Sequence, residues 1–70
     1  MLHENDEMVY FWTKGGLIYL RHGATCIMRD TKYHGTYFYK CFETYQDALA
    51  EMVLLDDLNF KWSDSNGKNR

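Results

Sequence analysis

Apolar and polar positions change their rhythm once, near Glu43, and that change divides the chain into a sheet-like and a helical part. From Thr36 to Phe42 the chain reads Thr36-Tyr37-Phe38-Tyr39-Lys40-Cys41-Phe42, four aromatics in seven residues, a composition suited to a pleated, half-buried strand. Beyond it, Tyr45, Ala48, Leu49, Met52 and Leu55 recur at helical spacing and make one apolar stripe. Thr44 offers a hydroxyl to cap the first turn, with Asp47 three residues on as a variant of the capping box. A helix with a single apolar stripe is not stable alone, so the upstream residues are expected to supply a sheet beneath it.

Leu17 to Arg21 and Ala24 to Arg29 read as two strands joined at His22-Gly23, and a polar loop from Asp30 to Gly35 leads to the aromatic strand. Gly35 suits the left-handed region at the end of that loop. Met8 to Trp12 is short enough to be a fourth strand or one buried helical turn, with strand the preferred reading. Thr13-Lys14-Gly15-Gly16 is a break. Asn59-Phe60-Lys61-Trp62 is expected to fold back on the helix end or sheet edge.

The expectation is an α+β fold: a three-stranded antiparallel sheet, with Met8 to Trp12 as the candidate fourth strand, packed on one α-helix. Residues 1–62 form a single small domain whose first seven residues are mobile, and residues 63–70 are a disordered tail. Alternation places Ile18, Leu20, Cys26, Met28, Tyr37, Tyr39 and Phe42 against the helix. It sends Tyr19, Arg21, Thr25, Ile27, Arg29, Phe38 and Lys40 to the reverse face.

Composition sharpens this. Seventy residues is near the lower limit for a domain without a staple, and twelve aromatics (six Tyr, four Phe, two Trp) compensate. No apolar run approaches a membrane span and no signal-peptide pattern is present, so the expected setting is soluble and cytoplasmic. Cys26 and Cys41 are expected to be reduced core residues, with a bridge between neighbouring strands as the alternative. His3, His22 and His34 are scattered, with no metal-ligand spacing, and no metal or other cofactor is expected.

The formal net charge is −2, but the charge is divided along the chain. Residues 10–42 carry Lys14, Arg21, Arg29, Lys32 and Lys40 against Asp30 alone, whereas residues 43–64 carry Glu43, Asp47, Glu51, Asp56, Asp57 and Asp64 against Lys61. The expected sheet is therefore basic and the expected helix acidic, which bears on partners.

The order Ile27-Met28-Arg29-Asp30, a hairpin closed by Gly35, the aromatic run to Phe42 and then Thr44-Tyr45-Gln46-Asp47-Ala48 resembles a known pattern. It is similar to the plant Apetala/ethylene-response-factor DNA-binding domain and to the amino-terminal arm-binding domains of phage and transposon tyrosine recombinases. The resemblance covers residues 17–62. It implies a sheet that lies in the major groove of duplex DNA. Arg29 matches the family's Arg before Asp, and Arg21 and Lys40 match as outward basic positions. The chain departs from the pattern at Lys40, which stands in place of a family Gly.

The leading expectation is a non-enzymatic module that binds duplex DNA through the free sheet face, as a regulatory or recombination accessory. Its contact set is Lys14, Tyr19, Arg21, His22, Thr25, Arg29, Lys32, Phe38 and Lys40. A single-stranded variant would use Tyr19 and Phe38 as stacking platforms. The alternative is a phage- or mobile-element-type module that binds a host protein, or a second copy of itself, through outward apolar residues such as Tyr19, Ile27 and Phe38. No nucleophile, base and orienting group stand out, and no phosphate-binding Gly loop is present, so no catalytic residue is named.

Overall fold

The computed structural model describes residues 1–31 and 35–68, with residues 60–68 as helix backbone. The architecture is α+β, and its sheet has five antiparallel strands in sequence order, two more than the three assigned from the sequence. These are β1 (His3–Glu4), β2 (Met8–Thr13), β3 (Gly16–Arg21), β4 (Cys26–Thr31) and β5 (Gly35–Cys41), followed by α1 (Tyr45–Lys68). Met8 to Trp12 is thus a strand, and it pairs with β3 along its whole length. The other added strand, β1, lies within the residues expected to be mobile. His3 pairs with Tyr10 and Glu4 with Val9, and the two aromatic rings of the first pair stack at 5.4 Å.

Turn chemistry explains why these strands meet. Thr13 donates its hydroxyl to the Gly16 carbonyl (2.8 Å) and accepts from the Gly15 N–H (3.1 Å), which closes the two-residue Lys14-Gly15 connection. Gly16 has φ +140, and a Cβ there would overlap the Asp30 carbonyl of the neighbouring strand. Gly35 takes φ +73, in the left-handed region expected of it. Asn5 closes the β1–β2 turn, where its side-chain oxygen accepts from the N–H groups of Glu7 (2.8 Å) and Met8 (2.9 Å).

The helix begins as the sequence dictates. The Asp47 N–H donates to the Thr44 hydroxyl (3.1 Å), and the Ala48 N–H donates to the Thr44 carbonyl (3.2 Å). The apolar stripe meets the sheet as expected: Ala48 and Met52 are buried with Val9, Phe11, Ile18, Leu20 and Ile27, while Tyr45, Leu49 and Leu55 pack around them. The helix does not stop there. It continues to Lys68, so Asn59 to Trp62 run on within the helix and do not fold back. Asn69 and Arg70 lie outside the described residues. Asn59 donates its amide to the Trp12 carbonyl (3.2 Å), fastening the helix to the far end of β2.

Two further expectations are corrected. Cys26 and Cys41 face each other across β4 and β5 and are joined in a disulfide, rather than being reduced core residues. The faces of β4 are also exchanged. Tyr19 pairs with Met28 and Ile18 with Arg29, so Met28 shares the outer face of Tyr19 and Arg29 shares the inner face of Ile18. Ile27 is fully buried under the helix. The cause is parity: four residues connect β3 to β4, and an even-numbered connection brings odd-numbered positions of one strand opposite even-numbered positions of the other. A bulge opposite Ile27 then puts Lys40 in register with that inward residue.

Ile27→Ala is expected to lower the unfolding free energy by about 2–5 kcal/mol. Phe38→Ala is expected to lower it by less than about 0.5 kcal/mol. Urea unfolding of both variants checks the ranking, and its reversal would return Ile27 to the outer face. Replacing both cysteines by Ser should cost no more than about 3 kcal/mol, given their separation of 15 residues. A urea midpoint that ignores reductant would show free thiols.

Candidate functional site

Strand pairing decides what the uncovered side of the sheet presents. Directly paired residues share a face, so the side away from α1 holds three rows running across the strands. The middle row is His3, Tyr10, Tyr19, Met28 and Phe38. One flanking row is Trp12, Leu17, Asp30 and Thr36; the other contains Met8 and Arg21 beside the Cys26–Cys41 bridge. Trp12 is 64% exposed and Phe38 67% exposed, whereas Met8, Tyr10, Leu17, Tyr19 and Met28 are half-buried by one another. The result is a continuous aromatic and thioether surface that the described residues leave open.

Charge on this face is sparse. Its strands contribute one cation, Arg21, whose guanidinium lies 5.7 Å from the Tyr19 ring centroid, and one anion, Asp30. The two sit at opposite ends of the strands. Near Arg21 the surface dips into a concavity of about 430 Å³ walled by Tyr19, Thr25, Met28 and Phe38.

The nine residues named for DNA contact are therefore only partly brought together. Tyr19, Arg21, Thr25 and Phe38 line that one concavity. Lys14 stands in the β2–β3 turn, at the opposite end of the sheet. His22 acts as a clamp: its Nε2 meets the Asn5 carbonyl (2.9 Å), and its Nδ1 lies 3.4 Å from the Tyr45 hydroxyl. This ties the β1–β2 turn to the start of α1. Lys40 lies over the Phe42 ring (5.3 Å), on the edge strand and in register with inward Ile27. Lys32 lies outside the described residues.

Arg29, which the resemblance marks as a base or phosphate contact, is on the helix side. It lines a groove with Phe11, Ile18, Tyr39, Leu55 and Leu58, and its Nε is buried without a hydrogen-bond partner. Its aliphatic stem suits that setting, whereas the buried Nε has no partner there.

No family model, curated protein or solved structure matches this chain. The site thus rests on its own geometry. Tyr10, Trp12, Leu17 and Met28 belong to it although none was named from the sequence. The signal that finds them is strand pairing: once Tyr19 faces outwards, its partners Tyr10 and Met28 must do the same. Among the described residues, no three His, Cys, Asp or Glu side chains gather as metal ligands.

Arg29→Met keeps the stem and removes the unpartnered donor, so stability is expected to hold or rise by up to about 1 kcal/mol. Thermal unfolding checks this, and a loss greater than that would mean the guanidinium is favourably held.

Proposed function

We propose that this chain is a protein-interaction module whose binding surface is the open aromatic face of the sheet. One observation carries the reading: Trp12, Tyr10, Tyr19, Met28 and Phe38 form a contiguous apolar surface that the chain's own helix does not cover. Such surfaces are costly to leave in water, and Trp and Tyr are the side chains that contribute most when a partner desolvates them. The thioether of Met28 adds adaptability to a surface that must accept another.

Duplex DNA is the less supported reading. Binding there scales with the phosphates neutralised by Lys and Arg arranged on one surface. Among the described residues, Arg21 is the sole strand cation on the open face, while Arg29 faces the helix and Lys40 and Lys14 lie at its margins. The resemblance to sheet-type DNA-binding domains thus loses the position that it matched most closely. The bonded Cys26–Cys41 pair favours an oxidising setting over the cytoplasm.

A photo-activated cross-linking side chain placed at Phe38 is expected to yield polypeptide adducts in cells, while the same group at Val53 on the outer helix face yields none. A random duplex should migrate unretarded by the pure protein even at about 50 mM salt. Absence of polypeptide adducts from position 38, or a low-salt shift that Arg21→Ala weakens, would overturn the reading.

A further inference from the structure

We infer that the partner is a second copy of this chain, stacked sheet to sheet about a two-fold axis that runs in the sheet plane, across the strands. This rests on the open face being a protein-binding surface and names what covers it. The argument is the distribution of charge over the three rows. The middle row, Tyr10, Tyr19, Met28 and Phe38, bears no formal charge within these four strands. Of the flanking rows, one carries Arg21 and the other Asp30, at opposite ends of the strands.

A crosswise two-fold turns one copy end for end over the other. It sets the middle rows against each other and brings the Arg21 row of each copy over the Asp30 row of its partner. Arg21, on β3, would then stand above the partner's Leu17. The partner's Asp30 pairs with that Leu17 and lies one strand away, about 4.8 Å to the side and within the reach of a guanidinium. The rims agree with this orientation. Lys14 is in the turn at the Asp30 end, and Glu7 is at the Arg21 end, where its carbonyl accepts from the His22 N–H (3.0 Å). The same rotation brings Lys14 towards the partner's Glu7.

The other face-to-face two-fold, with its axis along the strands, sets Arg21 beside Arg21 and leaves each Asp30 without a cation. Like charges at a desolvating surface oppose that arrangement. Edge-to-edge pairing through β5 is hindered by the bulge opposite Ile27, which interrupts the strand's regular spacing. An isologous contact needs a self-complementary face, and this one is self-complementary in one orientation.

Sedimentation equilibrium on the full chain, from low micromolar to near-millimolar concentration, tests the inference. A reversible dimer is expected. Arg21→Asp and Asp30→Arg should each raise its dissociation constant about tenfold or more, and the double variant R21D/D30R should return to within about threefold of the unsubstituted protein. Phe38→Asp should give a monomer with an unchanged circular dichroism spectrum, and Val53→Asp should leave the dimer intact. A monomer at every concentration, a dimer indifferent to Phe38→Asp, or single reversals that the double variant does not rescue would overturn the stack. A monomer that still forms polypeptide adducts from position 38 overturns self-association alone; one that forms none overturns the interaction reading as well.

Discussion

The burial of Ala48 and Met52 against Phe11, Ile18, Leu20 and Ile27 is the contact on which everything else depends. A chain of this size has one core, and here it is a single layer between a helix stripe and one side of a sheet. Because the stripe is narrow, it can cover only that side. The other side of each strand must then face outwards, whatever residues it carries. The aromatic surface is thus a geometric consequence of having one helix for five strands.

Several small polar devices hold this layer in place. Thr44 fixes where the helix starts, His22 ties that start to the β1–β2 turn, and Asn59 ties a later turn to β2. The Met1 amino group lies 3.1 Å from Asp56, and Leu2 packs at the margin of the core. At the opposite corner, the Cys26–Cys41 bond closes the end of the β4–β5 pair next to the bulge. Each constrains an end of an element, where backbone groups would otherwise fray.

Charge is where the linear sequence misleads most. The excess of Lys and Arg between residues 10 and 42 suggests a basic sheet. Folding separates those residues: Arg21 outwards, Arg29 under the helix, Lys40 along an edge and Lys14 in a turn. What matters to a partner is charge per face, and the open face is aromatic with one charge of each sign on its strands. That distribution favours a protein surface over a polyanion.

The sequence by itself determined the helix, its cap and its stripe, because Thr44 and the spacing from Tyr45 to Leu55 act within one or two turns of chain. It also determined the left-handed Gly35, a local matter of φ, whereas at Met8 to Trp12 it preferred a strand over a helical turn and the pairing with β3 decided. The faces of β4 were legible only through the even number of residues between β3 and β4, since Cys26-Ile27-Met28 is apolar throughout and alternation alone is silent there. The bulge, the disulfide and the short first strand came from tertiary structure. Each depends on which backbone or side chain lies alongside, and propensity along the chain carries no record of that neighbour.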